Sequence, residues 1–598
     1  MKLFQFAGAR TTAAFLFLLV IVSGCQSTGP RLTAEQEKIR AELATISPAN
    51  DPLTRESPII DIHTHTFNAR YLPLKGVLLG KRDAFPPITW LISDSCAKTL
   101  AAALIERTEL APAAGSPGVT RRELKSQAHE HRDQGLICGI FLGLLDKAAE
   151  RGCWSKGKSP SEQLKALDKV ADEMSLPQRM AVMAAAYMMG MEEQVRAKEM
   201  KTDGMRGIAL EEKTNGLRGA VRFLWFLTQN DADMSRLFAS QYKGVPMRDD
   251  RPLMLSHMMD LAPVYDQPPN GTELLDFKKE QVRRMAEFQN RPGSDMIYFV
   301  AYNPYRDYWR GEHSGDALEL VRSAIEEQGA WGVKVYPPSG YRPVGNEIKA
   351  RPTGIRSRIA GQQWDARYGG LPGDKNRALD ENLRKLLEWC IEKDVPVFVH
   401  AGTGEFEAQK GYGFYHSDPA FWRDFLKTHP TLRFCLGHAG GADYWFGEGK
   451  ASAWGKLVYE LCRTYPNVYC EITTHAELVS ADRQAYFVDR LAKSFDDSQK
   501  DDDKKPYEYS FSKKLIYGTD WYLPDASDRD TVLLATQRAF LHKKLRCHYK
   551  DYFFGNALRY LNAEARLERA GAPTSSVDKR LEEALVLART EPCPSPAP

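Results

Sequence analysis

Residues 57–68 read SPIIDIHTHTFN, an apolar run that closes on two histidines one residue apart. Residues i and i+2 of an extended strand face the same side, so Ile59, Asp61, His63 and His65 share one face and Ile60, Ile62 and Thr64 the other. Such a strand begins as core and ends on a polar pair. Seven later stretches repeat the design: LMLSHMMDL, MIYFVAYNP, WGVKVYPP, VPVFVHAG, LRFCLGHAGG, VYCEIT and KLIYGTDWY. The later runs are separated by room for a crossover helix. In one such helix, ALDENLRKLLEWCIEKD, residues Leu379, Leu383, Leu386, Leu387, Cys390 and Ile391 mark one face at the 3.6-residue period. Eight strands in this rhythm predict an α/β fold, a (β/α)8 TIM-like barrel. Residues 68–250 read as a large, mostly helical insertion after strand one.

The C-terminal ends of barrel strands are where such folds keep their sites. His63 and His65 end the first strand, His400 ends VPVFVH, His438 ends LRFCLGH and Asp520 ends KLIYGTD. His438 is expected on the interior face shared with Phe434 and Leu436, and Lys334 faces inward between outward Val333 and Val335. Three histidines and a carboxylate are a ligand set for Zn²⁺ or a similar divalent ion. A histidine pair alone is common on solvated loops, and a lone strand-end histidine is more often structural. The joint occurrence at matching strand ends carries the metal reading. The second such spacing, HEH at 129–131, sits among polar residues and reads as a solvated helix face.

The chain has 598 residues, 43% of them hydrophobic, and a formal net charge of +3, with basic residues spread along its length. It can bury a large core, and it carries no concentrated basic footprint for nucleic acid, which is not expected as a partner. Among its ten cysteines there is no CxxC pair and no zinc-knuckle spacing. Cys96, Cys138 and Cys153 are the expected disulfide pool, whereas Cys435 and Cys470 lie in apolar runs and read as small core residues.

At the N-terminus Lys2 and Arg10 precede TTAAFLFLLVIV, which is too short for a membrane span and ends in small residues. Val22-Ser23-Gly24-Cys25 resembles the lipobox of bacterial lipoproteins. The resemblance implies a signal peptide over 1–25, acylation of Cys25 and a membrane contact through lipid alone; Gln26 after it favours the outer membrane, facing the periplasm. Residues 26–55 are expected to be a spacer with a short helix capped by Thr33 and Gln36.

DIHTH, GVKVYPP, VFVHAG, LGHAGG and GTDW, in that order, resemble the metal-dependent amidohydrolase superfamily, specifically the amidohydrolase-related branch of hydrolases, lactonases and non-oxidative decarboxylases. YFFGNALRYL is similar to that family's closing helix. The resemblance covers 56–67 and 251–562, leaving 563–598 as a C-terminal helix and Pro-rich tail. It implies His63, His65 and His400 as metal ligands, Asp520 as ligand and proton acceptor, and His438 as the acid/base or orienting group. Some relatives carry a carboxylated strand-four lysine bridging two metals, the place of Lys334 here. The simpler reading pairs its ammonium with an interior carboxylate such as Asp61, and one divalent ion per chain is expected, zinc ahead of manganese. The loop after strand four carries Arg342, Arg351, Arg356, Arg358 and Arg367 and suits an anionic small-molecule substrate, although these arginines equally suit pairing with the insertion. The expected activity is metal-dependent hydrolysis of an amide, ester or lactone. Decarboxylation on the same fold and a non-catalytic, lipid-tethered binding scaffold are the alternatives.

Overall fold

The computed structural model describes residues 32–66, 160–175, 231–261, 272–309, 316–346, 373–402, 416–447, 452–473, 475–521, 529–570 and 575–590, with a few isolated positions between them. Eight strands form one sheet in chain order: β1 Ile60–Thr64, β2 Leu253–His257, β3 Met296–Tyr302, β4 Gly332–Val335, β5 Val397–His400, β6 Phe434–Gly437, β7 Val468–Ile472 and β8 Leu515–Tyr517. Every neighbouring pair is parallel. A parallel bridge from Thr64, at the end of the first strand, to Trp521, just beyond the last, brings the two edges of the sheet together. This is the expected (β/α)8 barrel.

Seven helices illustrate the outer layer: α1 Ala34–Leu43, α2 Asp231–Ser240, α3 Thr272–Gln289, α4 Gly373–Lys393, α5 Ala420–Thr428, α6 Ser452–Thr464 and α7 Ala481–Ser494. On α4 the expected stripe of Leu379, Leu383, Leu386, Leu387 and Cys390 is buried, with Ile391 at its half-buried margin. Each such leucine contributes on the order of 1.5–3 kcal/mol through the water it excludes. Every residue of β1, β2 and β4 to β8 is buried, as continuous apolar strands covered on both faces require.

Two boundaries differ from the sequence reading. Thr33 and Gln36 do form a capping box on α1, but this helix is no free spacer. Ile39 and Leu43 are buried, Gln36 Nε2 donates to Asp489 of α7 at 3.0 Å, and Glu42 meets His542 at 2.7 Å. The second boundary is the end of the insertion. The chain divides into two compact units, and the unit holding the barrel resumes at Gln229 rather than at 251. Helix α2 is the reason: Phe238 packs edge-on against Trp521 at 5.2 Å, and Gln241 just beyond it accepts from the Trp521 indole. An amphipathic helix on the barrel and one in an insertion have the same sequence signature, so periodicity alone does not separate them.

In the other unit the described residues include the helix Pro160–Asp172, whose Asp168 is forked by Arg222 at 2.9 and 2.7 Å. Most of the rest of the insertion, with HEH at 129–131, Cys96, Cys138 and Cys153, lies outside the described residues, as do Cys25 and the tail from 591. Cys435 and Cys470 are buried free thiols, as expected, and Cys547 is disulfide-bonded, a cysteine not in the expected pool. The segment expected as the closing helix turns through one π-helical turn, Asp551–Gly555, into Asn556–Tyr560. After it stand two helices, Ala563–Ala570 and Ser576–Ala588, where one was expected. Among the described residues no helix is long and apolar enough to cross a membrane.

Candidate metal centre

Strand alternation brings His63 and His65 to the barrel mouth, and the end of β8 brings Asp520 to meet them. Asp520 Oδ1 lies 3.2 Å from His63 Nε2 and 3.1 Å from His65 Nε2, all three residues buried. Asp520 has φ +55°, a left-handed backbone that costs a non-glycine residue about 1–3 kcal/mol. Asp61 holds that turn: its carboxylate accepts the Thr519 hydroxyl at 2.6 Å and the Thr519 N–H at 3.0 Å. Gly518 makes the approach feasible, because a Cβ there would stand 3.0 Å from His63 Cβ and 3.1 Å from Glu471 Oε2.

His438 arrives by a different route from the one expected. Phe434 packs on Trp422 of α5 at 4.3 Å, so it faces the helices. A Cβ on Gly437 would meet the ring of Phe398 at 2.7 Å, and Phe398 lies 4.6 Å from the His63 ring inside the barrel. Gly437, not Phe434, therefore occupies the interior register. His438 follows the strand, with φ +63° and Ala439 at +43°, and this left-handed turn swings the imidazole into the site. Trp445 Nε1 donates to Ala439 O at 2.9 Å and steadies the turn.

The ligand atoms of His63, His438 and Asp520 all lie within 4.8 Å of one another. His400 joins through Nδ1, which is 2.9 Å from His438 Nε2. The sequence reading kept His438 outside the ligand set and His400 within it; the structure places His438 in the tighter group. Lys334 does face inward, with Nζ 3.3 Å from His63 Nε2 and 4.4 Å from the Phe398 ring centre. Arg342 is buried in its own loop, its Nη1 donating to Gly345 O at 3.3 Å and its guanidinium 5.2 Å from the Phe421 ring centre. Arg351, Arg356, Arg358 and Arg367 lie outside the described residues.

Four contributors were not singled out from the sequence. Glu471 of β7 accepts from His63 Nδ1 at 2.7 Å and from the His438 N–H at 2.9 Å. Thr473, two residues on, hydrogen-bonds His438 Nδ1. Thr519 bridges to Asp61, and His257 ends β2 with its carbonyl accepting His65 Nδ1–H at 3.0 Å. A signal existed for two of them: His257 closes an apolar run just as His400 does, and Glu471 is a lone acid inside VYCEIT.

The donor set fits a divalent cation. A carbonyl can only accept, so His65 donates from Nδ1 and turns Nε2 toward Asp520. His63, bonded through Nδ1 to Glu471, does the same. Neither Asp520 oxygen has a hydrogen-bond donor. Two imidazole Nε2 atoms converge on one buried carboxylate oxygen at 3.1–3.2 Å, and nitrogen and oxygen donors so gathered are what a divalent cation takes. Burial, and next the Lys334 ammonium, hold His63 well below the usual imidazole range; burial and then His438 do so for His400. Burial brings His438 down to about 4, against the pull of Asp520. Burial raises Asp520, but the His65 contact together with the His438 ring and the Lys334 ammonium holds its carboxyl below the usual range. Neutral imidazoles and an ionised carboxylate are the forms that ligate metal. Burial pushes Glu471 upward, opposed by the N–H of His438.

Residues 308–562 match the family model described as amidohydrolase, a span that includes Lys334, His400, His438 and Asp520 and begins after the histidine pair of β1. No curated protein matches the chain. Among solved structures, 2,6-dihydroxybenzoate decarboxylase from Rhizobium is similar at 13% identity over 54% of this chain and 87% of that one, with a TM-score of 0.31. A 5-carboxyvanillate decarboxylase from Novosphingobium aromaticivorans, with bound manganese, is similar at 11% identity over 57% and 88%, TM-score 0.31. Glucuronate isomerase from Caulobacter crescentus is similar at 12% identity over 96% of both chains, TM-score 0.29.

Proposed function

We propose that this protein is a metal-dependent hydrolase that cleaves an amide, ester or lactone in a small anionic substrate. The observation that carries the reading is the convergence of the His63 and His65 Nε2 atoms on the Asp520 carboxylate in one buried cluster. His63, His65 and Asp520, with His400 or His438, would hold a single divalent ion, zinc ahead of manganese. When bound, that ion supplies a water acidic enough to ionise near neutral pH and an electrophile for the scissile carbonyl. Asp520 receives the water proton, and its left-handed backbone keeps the carboxylate aimed at the cluster. His438, held through Nδ1 by Thr473, orients the reacting oxygen with Nε2. The arginine-rich loop after β4 supports an anionic substrate.

Elemental analysis should give about one equivalent of metal per chain. A screen of carboxylated lactones, amides and esters should show turnover that a chelator abolishes and the metal restores. Release of CO₂ without consumption of water would make the protein a lyase instead. No turnover by metal-replete protein would favour a binding scaffold. We further propose that Cys25 is acylated and holds the protein at the outer membrane, on the periplasmic side, the VSGC sequence supporting it. Cys25→Ala should abolish incorporation of labelled fatty acid, and wild-type labelling of the variant would refute the anchor.

A further inference from the structure

We infer that β7, which contributes no ligand of its own, is the positioning strand of the metal centre, acting through Glu471 and Thr473. The inference rests on the metal reading above and adds to it. Residues i and i+2 of a strand share a face, and these two reach the two candidate ligands that come from different strands. One oxygen atom, Glu471 Oε1, takes the His63 ring at 2.7 Å and the His438 backbone N–H at 2.9 Å. It therefore fixes which nitrogen of His63 is offered to the cluster and ties down the chain at the point where His438 turns left-handed, φ +63°. Thr473 Oγ1 holds the far nitrogen of the His438 ring. Without these contacts His63 is free to change tautomer, and the turn carrying His438 loses the acceptor for its first N–H.

The pairing is built into the surrounding residues. Glu471 is buried, and its second oxygen has no hydrogen bond. Gly518 leaves room for that oxygen: a Cβ at this position would approach it to 3.1 Å. A buried carboxylate is costly unless its partners need it. Here it joins the histidine of the first strand to that of the sixth, and a carboxylate behind a ligating histidine raises its basicity and sets its orientation.

The test is metal affinity, read by competition with a chromophoric chelator on purified full-length protein, using Zn²⁺ and Co²⁺. Glu471→Gln keeps the shape and can still accept at one oxygen, so it should weaken binding about 10-fold; Glu471→Ala should weaken it about 100-fold, the range known for groups behind metal-bound histidines. The Co²⁺ absorption bands should shift in both variants, which a purely structural residue would not cause. Thr473→Val should perturb the bands, and Thr473→Ser should restore them. Should Glu471→Ala fail to fold, the near-isosteric Gln variant and the Thr473 pair still decide. Wild-type affinity and unshifted bands in folded Glu471→Gln and Thr473→Val overturn the inference while leaving the metal reading intact. A wild-type protein that binds neither ion overturns the metal reading itself.

Discussion

Apart from the Tyr560 hydroxyl at the base, the two ends of the barrel treat buried polar groups in opposite ways. At the mouth, Asp520 keeps two carboxylate oxygens without donors, and Asp520, His438 and Ala439 all hold left-handed backbones. At the base, Asn556 donates to Ser512 O at 2.9 Å and Leu515 O at 2.6 Å, while the ammonium of Lys514 reaches the carbonyls of Tyr465 and Pro466. Tyr560 closes the base from below, 5.6 Å from the Tyr469 ring and 6.2 Å from Phe299. Satisfied polar groups and packed rings stabilise a fold; strained turns and unshared lone pairs do not, and persist where surrounding structure holds them for chemistry. The base thus secures the cylinder on which the mouth can be kept reactive.

The sharpest break of this comparison is His438→Asn. If His438 orients the reacting oxygen, the change should lower kcat by roughly 10²–10⁴ for the substrate found by screening. Thermal stability should stay within about 1 kcal/mol or improve, since asparagine tolerates φ near +60° better than most residues. Metal content separates the two roles open to this residue. Retained metal with lost turnover assigns orientation, and lost metal makes His438 a ligand, as its place within 4.8 Å of His63 and Asp520 would allow.

The base and the strands of the mouth were legible for the same reason. Each strand is a short apolar run, and five of them end on or beside His or Asp, so position along the run and chemistry coincide. Three features were hidden. The interior register of β6 was misread because Phe434, Leu436 and His438 look like one face of a strand; the chain leaves the strand at Gly437, and no side chain announces a left-handed turn at a histidine. Glu471 was passed over because a single acid in an apolar run is ambiguous until its partners, 408 residues away for His63 and 33 for His438, are brought beside it. Helix α2 was assigned to the insertion because amphipathicity tells that a helix is covered on one side, not by what.

The smaller effect belongs to the base, and there stability rather than rate should change. Tyr560 is fully buried, and truncating a buried aromatic side chain costs about 3–5 kcal/mol, through lost transfer energy and the cavity left behind. Tyr560→Ala should therefore lower the unfolding free energy obtained from the urea transition by that amount while the folded fraction keeps wild-type kcat and metal content. Tyr560→Phe is the finer probe. The hydroxyl of Tyr560 is buried without a hydrogen-bond partner, and burial pushes its pKa well above the ordinary phenol value. Removing an unsatisfied hydroxyl relieves a desolvation cost of roughly 1–3 kcal/mol, less whatever packing the oxygen provides. The Phe variant should accordingly be as stable as wild type or more so, by up to about 1 kcal/mol, in the same urea titration. A loss of more than 1 kcal/mol in Tyr560→Phe would mean that the hydroxyl makes a favourable contact. A fall in kcat in Tyr560→Ala at full folding would mean that the base and the mouth are coupled, and the division of labour between the two ends of the barrel would not hold.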